Sequence, residues 1–187
     1  MKKLKGWWFS NNDKKLGYGD GRIIRAGITH KVKCEPVLCQ SGLHASKRII
    51  DALQYAPGHY VWRVELSGEI KEDYDKAVAT QRKYLWGMNC EAVLFKFARM
   101  CALDVIDKWN APDIVIQFLK TGDENLRDAA GAAAGAAAWD AAWDAAWAAA
   151  GDAAWAAVRA AAMAAAGDKQ NKRLYRMIMK TKKRIDK

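Results

Sequence analysis

No segment near the start of the chain has the apolar h-region of a secretory signal, and no long apolar run is free of charge. Even the alanine-rich stretch is interrupted by Asp140, Asp144, Asp152 and Arg159. Both absences argue against export and against a membrane span, and they set the expectation of a soluble cytoplasmic protein with no membrane partner. Cysteine is scarce. Four residues, Cys34, Cys39, Cys90 and Cys101, do not make a disulfide framework in a chain of 187, so free thiols are expected. Nucleotide-binding signatures are missing too: Gly17, Gly19 and Gly21 supply a turn-rich segment but match neither a Walker loop nor a dinucleotide fingerprint. His30, Cys34, Cys39 and His44 are zinc-ligand types spaced H-x3-C-x4-C-x4-H, yet there is no C-x2-C knuckle and Pro36 stiffens the loop between the thiols. Structural thiols and buried or turn histidines are expected there, with no metal and no cofactor.

What the chain does have is charge, unevenly distributed. Residues 1–122 carry 20 Lys and Arg against 13 Asp and Glu, residues 123–168 carry 2 against 7, and residues 169–187 carry 9 against 1. A basic terminal block thus succeeds an acidic stretch, within an overall net charge of +10. Such a block suits phosphate or an acidic protein face.

Aromatics at Trp7, Trp8 and Phe9 suit an early strand, and Arg22–Arg25 and Thr29–Lys33 read as short strands around Gly27. Ser46 is placed to cap a helix over Lys47–Tyr55, which Ala56-Pro57-Gly58 stops. The clearest strand is His59–Leu66, where Tyr60, Trp62, Val64 and Leu66 alternate with Val61, Arg63 and Glu65. Residues Asp75–Leu85 fit either a strand or a short helix. Beyond Gly87, the residues Val93, Leu94, Phe97, Met100, Cys101 and Ile106 recur at helical spacing. Pro112 opens a further helix through Leu119, closed by Gly122, with Asp123 capping the next helical segment.

From Arg127 to Gly167 almost every fourth residue is Arg, Gly, Trp or Met, and most of the rest are alanine, the strongest helix former. A four-residue period advances about 40° per repeat on a helix of 3.6 residues per turn, so one straight helix cannot keep the row on one side. Breaks are expected at Gly151-Asp152 and Gly167-Asp168, as at Gly122-Asp123. The expectation is an α+β chain: a mixed α/β domain over residues 1–110, then an all-helical C-terminal unit over 111–187, a hairpin or small bundle ending in a basic amphipathic helix over 168–187. Trp139, Trp143 and Trp147, flanked by Asp140 and Asp144, are its candidate partner-binding residues. Lys172, Arg173, Arg176, Lys180, Lys182, Lys183 and Arg184 are its candidate phosphate or nucleic-acid contacts.

Two resemblances add expectations. The segments Ser41-Gly42-Leu43-His44-Ala45-Ser46, Val61–Gly68 and Lys120–Arg127, with Gln170–Leu174 near the end, resemble a group of uncharacterised bacteriophage and prophage proteins in which a small domain precedes an Ala/Trp-rich repeat. This likeness implies a phage or mobile-element accessory protein acting in the host cytoplasm. It would bind a host protein or nucleoprotein, in the manner of an anti-defence, anti-CRISPR-like inhibitor, or bind nucleic acid directly through the basic tail. Gly42, His44, Ser46 and Tyr55 are also similar to the turn and helix lining the nicotinamide-dinucleotide cleft of the ADP-ribosyltransferase-like fold, which implies an NAD-using enzyme as the alternative. Leu43 stands where that pattern has an aromatic, and no late strand carries the glutamate that would orient the ribose.

Overall fold

A computed structural model describes residues 2–108, 110–134 and 153–186, the last helix by its backbone alone as far as residue 166. The chain divides into two compact units, Met1–Glu91 with Asn171–Lys187, and Ala92–Gln170.

The first unit is an antiparallel sheet built on two long strands, β4 (Tyr60–Glu72) and β5 (Ala77–Asn89). The sheet has five strands: β1 (Leu4–Ser10) flanks β4, while β2 (Thr29–Lys31) and β3 (Leu43–Ala45) share the far edge of β5. The segment Asp75–Leu85, which fits either a strand or a short helix in the sequence, is therefore strand from Ala77, and the strand runs on to Asn89. Ser46, directly after β3, exchanges both backbone hydrogen bonds with Trp7 of β1, at 2.7 and 2.9 Å. The pairing circuit β1-β4-β5-β3 thus returns to β1. Ser46 spends its backbone on that closure rather than capping a helix; α1 is only Ile49–Leu53 and starts after Arg48 with no side-chain cap.

Cross-strand register sorts the side chains onto two faces, and both are apolar. Trp8 opposes Trp62, Gly6 opposes Val64 and Leu4 opposes Leu66, with Tyr84 across from Val64. This inner face packs with Leu16, Ile24, Leu43, Ala45, Ala77 and Ala79. Trp7, Phe9, Val61, Trp86 and Met88 occupy the other face, and all but the half-buried Trp86 are buried. A sheet that is apolar on both sides needs a cover on each.

The cover of the second face comes from the end of the chain. Helix α5 (Ala153–Ile185) has Leu174 and Ile178 with no exposed surface. They lie on the side from which Asn171 accepts the Ile50 amide, Tyr175 meets Trp7 edge-to-face at 5.9 Å, and Lys182 sits 5.2 Å over the Trp86 ring. Burying two such side chains contributes about 1.5–3 kcal/mol each.

This overturns the expectation of an all-helical C-terminal unit: the protein is a five-stranded antiparallel sheet with helices, and its basic terminal segment is part of the sheet unit. The expected break at Gly167-Asp168 is absent as well, since both residues lie inside α5. A mid-helix glycine costs only about 1 kcal/mol relative to alanine, which the alanines before it and the burial after it outweigh. Gly151-Asp152 lies outside the described residues.

In the second unit, α2 (Glu91–Leu103) buries Phe97 and α3 (Asp113–Thr121) buries Val115. Gly122 ends α3 in the left-handed conformation, φ 69°, donating to the Phe118 carbonyl, and the Asp123 carboxylate accepts the Asn125 amide. Residues 127–134 are helical, α4. Arg127 pairs with Glu124 and lies over Phe95.

Gly87 is a tight joint in the sheet: the Trp62 ring lies on it, so that an added Cβ would fall 2.4 Å from Trp62 Cε3. Gly87→Ala is therefore expected to cost about 1–3 kcal/mol through overpacking. Urea unfolding at unchanged m-value measures this, and an unshifted midpoint would show that Trp62 does not rest there.

Candidate binding surface on the last helix

The geometry of α5 is set by its period. With Leu174 and Ile178 against the sheet unit, residues two positions away from either project to the opposite side. Those residues are Lys172, Arg176 and Lys180, and Lys183 and Arg184 fall on the same outer arc. All five are exposed, and none makes an ion pair with a described carboxylate. Of the other two sequence candidates, Lys182 pairs with Asp186 and packs over Trp86, while Arg173 is half-buried. Lys182, Lys183 and Arg184 also sit in the last turn, where cations complement the helix dipole. A shallow open concavity runs along this side, lined by Tyr175, Arg176, Met179, Lys180, Lys183 and Arg184. The other partner-binding candidates, Trp139, Asp140, Trp143, Asp144 and Trp147, lie outside the described residues.

Inside the sheet sits a second cationic feature, one that sequence reasoning missed. Arg82 is 2% exposed. Its Nε and Nη2 donate to the Tyr84 hydroxyl at 3.0 and 2.8 Å, its Nη1 donates to the His44 carbonyl at 2.6 Å, and its guanidinium lies 3.8 Å over Trp8. Because the Tyr84 oxygen accepts twice, its own proton goes to His30 Nδ1, 3.1 Å away. His30 is thereby fixed as the Nε2–H tautomer, with a further hydrogen bond to the Ile23 backbone. No described carboxylate pairs with Arg82; the nearest acidic influence, Asp20, is held bidentately by Arg22 at 2.7 and 2.6 Å. Burial pushes the Arg82 pKa down and that of Tyr84 up. With each of its three nitrogens in a hydrogen bond and its face on Trp8, Arg82 tethers β3 to β5.

The residues of the expected dinucleotide cleft are likewise committed. Gly42 has φ 105° and an ideal Cβ there would meet Val78 Cγ2 at 2.6 Å, so the position is dictated by backbone shape. His44 Nε2 accepts the Cys39 amide at 3.1 Å. Ser46 is buried in the closure with Trp7. Tyr55, 52% exposed, donates its hydroxyl proton to Asp75 at 2.5 Å and accepts from Lys76 at 3.1 Å. His44 and Tyr55 border one neighbourhood, because Lys76 also hydrogen-bonds Cys39, but Ser46 does not join it. Of the four zinc-type residues, His30 points to Tyr84 and His44 to the Cys39 backbone, while Cys34 and Cys39 are exposed free thiols. Among the described residues, no three His, Cys, Asp or Glu side chains are grouped to hold a metal ion, and no helix is long and apolar enough to cross a membrane.

Residues 20–96 match the model of a family described as a domain of unknown function, DUF7666. No curated protein and no solved structure matches the chain. The matched segment holds β2 to β5 and the start of α2; β1 and α5 lie outside it.

His30, which is buried, and His44, which is half-buried, make a pH prediction. Burial, then the nearby arginines, lower the pKa of His30 from 6.5, and burial followed by Arg82 lowers that of His44. In the window just below 6.5 the unfolded chain binds more protons than the folded one, so stability rises with pH there. It is complete above about pH 7 and declines as the pH falls through 6.5. The urea midpoint should drop between pH 7.5 and 5.5, and His30→Gln should flatten part of that drop. A wild-type midpoint that stays level or rises on acidification would contradict the lowering of these two pKa values by burial and the arginines.

Proposed function

We propose that this protein is a phage or mobile-element accessory protein that works by binding in the host cytoplasm, without a reaction of its own, and that its contact surface is the outer face of α5. One observation carries the reading: Lys172, Arg176, Lys180, Lys183 and Arg184 are exposed and unpaired among the described residues, on a helix whose other side is anchored. Lys172, Arg176 and Lys180 lie before the last turn, and with Lys183 and Arg184 they stand exposed to neutralise a partner. The partner class that best answers such a row is a polyanion, either nucleic acid or the nucleic-acid component of a host defence nucleoprotein. The origin rests on the sequence resemblance, the anti-defence role on what an accessory protein of that origin would bind in its host, and the binding surface on α5.

Titrating labelled nucleic acid with the full chain at several salt concentrations tests the surface. Affinity should fall with salt at about 0.7–0.9 log units per phosphate neutralised. The triple variant Arg176→Ala, Lys180→Ala, Lys183→Ala should lower that slope by about three, with unfolding stability unchanged to within about 0.5 kcal/mol. Salt-independent binding, or a triple variant that binds as the wild type does, would remove α5 from the account.

A further inference from the structure

At the border between the anchored side of α5 and its cationic face stands one residue that electrostatics does not explain. Tyr175 is 46% exposed, yet its ring is not loose: it meets the buried Trp7 edge-to-face at 5.9 Å, and Trp7 is itself braced by Trp86 at 5.6 Å and by the Arg63 guanidinium at 4.8 Å. It borders the same concavity as Arg176, Lys180, Lys183 and Met179. A rigid aromatic beside a row of cations has the composition of a site for unpaired bases, in which the ring stacks a base and the cations track the backbone.

We propose that α5 docks single-stranded nucleic acid, with Tyr175 as the stacking platform. The proposal rests on the reading of α5 as a polyanion-binding face and names the polyanion. Two features favour a single strand over a duplex. Lys172, Arg176, Lys180 and Arg184 recur every fourth residue, about 6 Å apart along the axis, and the row winds through about 120° around the helix. A flexible strand can trace that path, whereas a duplex with a persistence length of about 150 base pairs resists it. The helix is also backed by the sheet unit from Asn171 to Lys182. Only its outer side is available, and at the border of that side Tyr175 can stack only on a base that is not already enclosed in a duplex.

The test uses the full chain, a labelled 20-nucleotide oligothymidylate and a 20-base-pair duplex, compared by fluorescence anisotropy at matched salt. The single strand should bind more tightly. Tyr175→Leu, which keeps an apolar group against Trp7, should weaken single-strand binding by about 5- to 150-fold with an unchanged salt slope. Tyr175→Phe should retain it, because the phenyl ring still stacks. Duplex binding equal to or tighter than single-strand binding, or a Tyr175→Leu variant indistinguishable from wild type, would overturn the single-strand assignment while leaving the polyanion surface standing. Binding to neither nucleic acid would overturn both.

Discussion

The seating of Leu174 and Ile178 is the contact on which the rest of the molecule depends. The outer face of the sheet presents Trp7, Phe9, Val61, Trp86 and Met88, too much apolar surface to leave in water. The terminal helix covers it, and the same contact turns Arg176, Lys180 and Lys183 outward. Structure and surface chemistry are therefore coupled through one helical period: the residues that complete the fold determine which cations face solvent. The matched family segment, residues 20–96, contains neither β1 nor α5, so this second face is completed by chain on both sides of the segment.

The inner face solves a different problem. A buried guanidinium without a carboxylate is costly unless hydrogen bonds and an aromatic face replace the water it loses. Arg82 meets that condition by donating to Tyr84 and the His44 carbonyl and by stacking on Trp8. Fixed this way, it joins β3 to β5 while the Trp7–Ser46 pair joins β3 to β1. Residues whose types suggest catalysis or metal binding, His30, His44 and Ser46, are thereby absorbed into the frame. Among the described residues, the chemistry on the outer arc of α5 is charge, with the Tyr175 ring at its border.

The alternation in Tyr60–Leu66 and the helical spacing beyond Gly87 were legible because each depends on local period. The capping pair Gly122-Asp123 was legible for the same reason, since a cap is chemistry between neighbours. The features that escaped reading are long-range. Ser46 fits a helix cap locally but serves a strand forty residues earlier, and Arg82 reads as a solvent-facing residue until its cross-strand partners are known. The terminal helix was recognised as amphipathic, yet its apolar stripe could have met another helix as readily as a sheet. The pattern that could have decided this is the apolar character of Trp7, Phe9 and Val61 on the face opposite Trp8 and Trp62. The basic row itself was visible in composition, but which of its members face water required the docking side.

Hydrogen exchange over the full chain tests that docking most directly. If α5 is an integral part of the sheet unit, the amides of residues 174–182 should exchange only in the same cooperative opening as the central strands β4 and β5, with matching protection. Exchange of residues 174–182 well before β4 and β5 would mean that the helix is an appendage, and the orientation of its cations would lose its structural basis.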